Sequence, residues 1–490
     1  MTTTNPPSNP PAPPVDQIVQ SQHTVMINGA EIRYTATAGV IIMKEEAEKD
    51  GVSAGEQARA GIFFVAYTRD DVTDLSRRPI TFAFNGGPGS SSVWLHLGLF
   101  GPQRVLMTVE GWPLSPPGRI VPNQYSLLDV SDLVFIDPVS TGYSRAVAGE
   151  SPKQFHDFRK DIESVGDFIR LYTSRYGRWL SPKYLAGESY GTTRAAGLAG
   201  YLQERHGLYL NGLMLISAVL HFQTLSFDHG NDLPYMLFLP SYTATAFYHR
   251  RLEPELQRDL NATLRAVESF ALGDYALALL QGDQLDPATF DYIATQLARY
   301  TGLSRDYVTR SRLRIRDDRF VKELLRDQQR TVGRLDSRFT GSDRDAVGEV
   351  VEFDPSLAAI TGPYTAALNH YAREQLGFCS DLPYEILTER VWPWSFNDHQ
   401  NRYVDVAETL RRAMHRNPGL RVHVASGYYD LATPYFATRY TLNHLALDPA
   451  LRAQIGESFY PAGHMMYIHE PSLAALKSVL ADFVLAESRE

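Results

Sequence analysis

Cysteine is all but missing from this chain. Cys379 stands alone, so no intrachain disulfide can form and no paired-cysteine metal knuckle exists, which fits a reducing compartment. Long apolar runs are also missing. Nowhere do 18 apolar residues follow one another, so no transmembrane helix is expected. The opening MTTTNPPSNPPAPP has neither a basic region nor an apolar stretch and does not read as a secretory signal. A cytoplasmic protein is the expectation, with export to the periplasm or beyond left open. Positive charge is not in excess: 47 Lys and Arg face 56 Asp and Glu, a net charge of −9. A nucleic-acid binder that works by neutralising phosphates gains no support. Neither GxGxxG nor GxxxxGK[ST] occurs, HEPSL at 469–473 is not HExxH, and no His, Asp or Cys cluster has metal spacing. No metal and no cofactor is expected.

What remains is a 490-residue chain, 44% hydrophobic and 21% charged, long enough to bury a large core. Residues 22–42 alternate around Asn28-Gly29 and predict a hairpin. Residues 43–60 are polar and charged and predict a loop or a short helix. Residues 61–70 predict a strand. Continuous apolar runs at 79–87, 132–138, 183–187, 210–218 and 420–427 predict strands of a sheet covered on both faces. Helical patterns lie between them, at 151–177 behind a Ser-Pro start, at 192–206, and at 470–488. Strands alternating with helices predict an α/β fold with a mostly parallel sheet. From about 240 to 399 the rhythm breaks into long helical patterns. The expected division is a Pro-rich disordered tail at 1–18, a core in two parts at 19–239 and 400–490, and a helical cap insertion at 240–399. An independent helical domain is the competing reading of that insertion.

The sharpest local signal is Gly187-Glu188-Ser189-Tyr190-Gly191. It follows a strand and precedes a helix. A tight turn there exposes the serine hydroxyl beside a helix N-terminus, where negative charge is stabilised. An ordinary helix cap is the bland reading. A serine needs a base to become nucleophilic, and in a strand–turn–helix hydrolase the acid and then the histidine follow it in sequence. Asp430 and His464 stand in that order, in loops beyond sheet elements. Asp132 and Asp137 compete as acids but precede the serine. His423 alternates within a strand and reads as packed or outward-facing; His444 and His469 read as surface positions. Asn85-Gly86-Gly87-Pro88-Gly89-Ser90-Ser91-Ser92 follows a central strand, where exposed amides can form half of an oxyanion hole.

Together NGGPGSSS, FIDPVSTGYS, GESYG, the GYYD segment and AGHM resemble the serine carboxypeptidase family (peptidase S10) over nearly the whole chain, from about 23 to 490. The resemblance implies an α/β-hydrolase fold with a helical insertion. It implies an exopeptidase that removes one residue from a peptide's free C-terminus, best at acidic pH. By motif, Ser189 resembles the nucleophile, His464 the general base and Asp430 its orienting acid. The amides of Gly87 and Tyr190 resemble the oxyanion hole. Asn85, the amide of Gly86 and Glu188 resemble a clamp on the terminal carboxylate, and Met465 a residue lining the leaving-residue pocket. Glu188 would have to be protonated there, since two touching carboxylates do not both ionise easily.

Three departures stand out. The family's glutamate beyond the serine run is Leu99 here, with His96 near enough in sequence to stand in for it. Its usual cysteine is Ser90, and the disulfides of eukaryotic members have no counterpart. Its Gly-Asp-x-Asp is Gly427-Tyr428-Tyr429-Asp430. These departures resemble a bacterial branch. An esterase or acyltransferase of the same fold, and a non-catalytic binding protein, are the alternatives. Trp392 and Trp394 either line the substrate pocket or weld cap to core, and packing is the favoured reading. The arginines between 307 and 341, interleaved with acids, read as a solvated face, and Cys379 as buried or incidental. Peptides with a free C-terminal carboxylate are the expected partners; no nucleic acid or membrane is. Oligomeric state is not legible.

Overall fold

The alternation of side chains along buried strands governs how this chain folds. In a computed structural model describing residues 14–486, the principal strands are β1 (Gln17–Ile27), β2 (Ala30–Lys49), β3 (Val52–Arg69), β4 (Ile80–Phe84), β5 (Asp132–Ile136), β6 (Lys183–Ser189), β7 (Gly212–Ala218), β8 (Arg421–Gly427) and β9 (Ile455–Tyr460). They form one sheet in the order β1-β2-β3-β5-β4-β6-β7-β8-β9, and a two-residue strand at Arg145–Ala146 pairs with β3. From β5 to β9 every pairing is parallel. On the β1 side the pairings are antiparallel.

The helices are α1 (Phe158–Arg175), α2 (Tyr190–His206), α3 (Leu233–Tyr248), α4 (Leu260–Phe270), α5 (Pro287–Thr301), α6 (Pro355–Glu374), α7 (Ala407–Arg416), α8 (Tyr435–Asn443) and α9 (Glu470–Leu485), with shorter turns between them. Because successive residues of a strand face opposite ways, Phe82, Phe84, Val134 and Leu185 join one core with α1, α2 and α7. Ala83, Leu133, Phe135 and Ala186 join another with α6 and α9 on the opposite face. This is the α/β architecture the strand–helix alternation predicts, in the α/β-hydrolase form the family resemblance implies. A third cluster unites α3, α4 and α5 with Tyr429, Leu431, Tyr435 and Phe436, which follow β8. The helical insertion therefore shares its apolar interior with the sheet domain.

Several boundaries differ from the sequence reading. Residues 1–13 of the expected tail lie outside the described residues, and Gln17 and Ile18 already belong to β1. Residues 43–60 are neither loop nor helix: β2 and β3 run on as an antiparallel ladder, turning at Asp50-Gly51 with φ of 55° and 77°. Asp-Gly is a hairpin signal, hidden here because both faces of the ladder's end meet water and its residues need not alternate. The helix expected from 151 starts later. Ser151-Pro152 opens a short 3₁₀ turn, and Asp157 caps α1 by accepting from the amides of Arg159 and Lys160.

Candidate active site

β6 runs directly into α2, and Ser189 sits at the junction with φ 58° and ψ −130°. A non-glycine residue at positive φ is strained, and it is held there by packed neighbours. Asn85, Gly86, Gly87, Glu188, Ser189, Tyr190, His464 and Met465 all line one cavity of about 670 Å³. Asp430 lies behind His464, fully buried.

The acid–histidine pair is set by local chain chemistry. Asp430 Oδ2 lies 2.7 Å from His464 Nδ1. Its Oδ1 accepts the amides of Ala432 and Thr433 at 2.8 and 2.9 Å, and Thr433 Oγ1 donates to Oδ2 at 2.7 Å. Burial opposes a charge on Asp430, but His464 and these donors outweigh it and hold its pKa below the ordinary value. Burial also opposes a charge on His464; Asp430 overcomes it and raises the histidine's pKa. The His464 amide donates to Leu335 O at 2.7 Å, and Gly463 donates to Asp336 Oδ2 at 3.0 Å. Leu335 and Asp336 belong to the insertion, so the insertion itself helps hold the histidine.

The Gly86–Gly87 loop lies on the first turn of α2. A Cβ on Gly86 would stand 2.4 Å from Tyr190 N, which brings the two expected oxyanion segments together. Arg194, paired with buried Asp161, donates to Asn85 O at 2.6 Å. Asn85 Oδ1 accepts from Leu95 N at 3.1 Å, and Asn85 Nδ2 donates to Glu188 Oε1 at 2.9 Å. Asp137 Oδ1 accepts both the amide and the hydroxyl of Ser92. That acid anchors the glycine loop, and burial pushes its pKa up to about 6. Asp132 pairs with Arg78 and Arg178. Neither competing acid approaches His464.

Glu188 is buried, and burial raises its pKa to about 7 against the opposing influence of His464 and its donors. Its second oxygen accepts from Tyr467 Oη at 2.5 Å. The sequence reading missed Tyr467. His96 does not stand in for the missing acid: its Nε2 lies 2.6 Å from Tyr67 Oη, its ring stacks on Phe135, and burial lowers its pKa to about 3. Leu99 is core.

Trp394 packs edge-on against Tyr190 as expected, but Trp392 is exposed and lines the cavity. Trp94, Leu357 and Ile360 add apolar wall; nothing local marked them. Thr433 carried a signal, since a Thr three residues after an Asp can close a local turn. His423 is packed, with Nε2 2.8 Å from Ser458 Oγ, and burial lowers its pKa to about 4. His444 is exposed as expected. His469 is not a surface position: it is buried and bonds Ser472 Oγ at the start of α9. The arginines of the insertion are mixed. Arg310 is solvated, whereas Arg338 is buried against Asp336. Cys379 is exposed. Among the described residues, no group of three His, Cys, Asp or Glu is placed to hold a metal ion, and no helix is long and apolar enough to cross a membrane.

Residues 43–245 match the family model described as serine carboxypeptidase. Over 135 residues, 26% of this chain, the sequence is 33% identical to the pheromone-processing carboxypeptidase KEX1 of Saccharomyces cerevisiae, covering 17% of that protein. Over 180 residues it is 26% identical to serine carboxypeptidase-like 45 of Arabidopsis thaliana, covering 35% of this chain and 36% of the plant protein. The matched stretch thus spans well under half the length of either relative. The crystal structure of Kex1(delta)p, a prohormone-processing carboxypeptidase from Saccharomyces cerevisiae, superposes with a TM-score of 0.57 at 16% identity, covering 92% of this chain and 91% of that one. It is similar in fold. These matches support membership in the serine carboxypeptidase family at low identity and over part of the chain, and with it a hydrolase of that general type. The expected bacterial branch is corrected: the relatives that match are fungal and plant. A missing cysteine and an aromatic pair before Asp430 describe packing and do not mark a lineage.

Proposed function

We propose that this chain is a serine-type carboxypeptidase acting on peptides with a free C-terminal carboxylate. The observation that carries the reading is the placement of Glu188. A buried carboxyl with a raised pKa lines the cavity directly beside Ser189, braced by Asn85. A protonated carboxyl can donate a hydrogen bond to a carboxylate, which an ionised one cannot.

In this mechanism Asp430 fixes His464 through Nδ1, leaving Nε2 to take the proton from Ser189 Oγ as it attacks the last peptide carbonyl. The amides of Gly87 and Tyr190 receive the developing oxyanion. His464 then gives its proton to the departing amino acid, and water repeats the sequence to release the shortened peptide. Apolar walls from Trp94, Leu357 and Ile360 favour uncharged side chains near the scissile bond.

Blocked dipeptides carrying either a free or an amidated C-terminus test the reading. We expect kcat/KM to favour the free carboxylate by at least about tenfold, the scale of one hydrogen bond to a charged group. Ser189→Ala should lower kcat at least about 10⁴-fold. Equal rates on the two substrates would overturn the exopeptidase reading.

A further inference from the structure

Glu188 is held at both oxygens by groups from distant parts of the chain. Asn85 Nδ2 reaches Oε1, and Tyr467 Oη reaches Oε2 across 279 residues of sequence. The phenol is buried to 2% exposure, and the space for its ring is made by a glycine. A Cβ on Gly98 would meet Tyr467 Cε2 at 2.4 Å and Tyr364 Oη at 2.7 Å. Gly98 lies in the wide π-helical turn His96–Phe100, the same turn that turns Leu99 into the core. So the turn that carries no acid opens a slot that a phenol fills.

We infer that Tyr467 is a positioning residue for the terminal-carboxylate clamp, fixing the plane of the Glu188 carboxyl and supplying the donor that a second carboxyl would otherwise supply. The inference rests on the carboxypeptidase reading. With one hydrogen bond accepted at each oxygen, the carboxyl cannot rotate. Its remaining hydrogen-bonding capacity is directed at the cavity that Glu188 lines. A phenol also differs from a carboxyl in its proton inventory. Tyr467 is buried, and its own titration is driven far above the usual range, first by burial and then by Glu188. It therefore donates at every working pH, and Glu188 is the clamp's only titrating acid. The charged or titratable groups that act on Glu188 are His464, Tyr467 and Asp430, and Tyr364 on α6 senses it in turn. Of these, Tyr467 and His464 favour the ionised form of Glu188, and Asp430 opposes it.

Tyr467→Phe removes one oxygen and keeps the ring in its slot. Fluorophosphonate titration of Ser189 counts folded sites in the variant. Two results are expected. At pH 5, where Glu188 is protonated in both proteins, the ratio of kcat/KM on free over amidated dipeptide falls about tenfold, because the carboxyl has lost its orientation. The alkaline limb of kcat/KM on the free-carboxylate substrate moves up by at least about 0.5 pH unit, because the ionised form has lost a donor. An alkaline limb that stays in place overturns the role of Tyr467, whatever happens to the ratio. If the unsubstituted protein shows no preference for the free carboxylate, the carboxypeptidase reading fails first, and it fails independently of Tyr467.

Discussion

Glu188 and His464 make opposite demands on the pH. The proposed clamp needs Glu188 protonated, which burial favours up to about pH 7. The base needs His464 neutral, yet Asp430 and Glu188 both raise its pKa. The two titrations are coupled through their mutual charge. A proton on Glu188 removes one of the influences that keep His464 charged, so protonating the acid makes the base easier to free. The profile of kcat/KM is therefore a bell whose limbs belong to the pair. Glu188→Gln makes that position permanently neutral. Its alkaline limb near pH 7 should vanish, while its acid limb should stay in place or move slightly to higher pH, because glutamine mimics the protonated glutamate that already faces His464 on that limb. A pH profile on a blocked dipeptide checks both signs. An acid limb that moves to lower pH would show that Glu188 is ionised where that limb falls, against the clamp.

The insertion's most consequential element is the segment between its two short strands, Thr331–Val332 and Thr340–Gly341. Within it Asp336 serves two partners. It holds Gly463 N–H beside His464, and it pairs with buried Arg338. Asp336→Ala leaves that guanidinium buried without its partner. We expect a loss of about 3–5 kcal/mol in stability, read by urea unfolding, together with a lowered kcat as the His464 loop loosens. A loss below about 1 kcal/mol would assign Arg338 a different partner. This element also shows where sequence reading stops. Ser189, Asp430 and His464 were legible because each sits in a local pattern of turn chemistry and strand ends. Asp336, Leu335 and Tyr467 were not, since each acts on a loop far away in sequence and carries no period or spacing of its own. The strand extension through residues 44–58 failed for the opposite reason. Its signal, Asp50-Gly51, was local, but charged residues on both faces of the ladder masked the alternation that strands usually show.

Across the whole molecule, sheet and insertion do not divide cleanly. Tyr429, Leu431, Tyr435 and Phe436 follow the strand that carries Asp430, yet they pack among the insertion's helices. The cavity takes its floor from the sheet side and much of its wall from the insertion. The two should therefore melt together. Calorimetric unfolding and loss of Ser189 labelling by a fluorophosphonate are expected to coincide in one cooperative transition. A labelling-competent state that survives a first melting step would show that the insertion is an independent unit.

The order of the chain adds a consequence in time. Ser189 precedes the insertion, and Asp430 and His464 follow it. During synthesis the serine leaves the ribosome about 275 residues before the histidine, an interval on the order of a quarter-minute to a minute. Throughout it Ser189 has no base beside it. By the time His464 emerges, the helices that wall the cavity have already been made. On the proposed function, the Ser189–His464 pair is thus completed last, after the structure that walls the cavity.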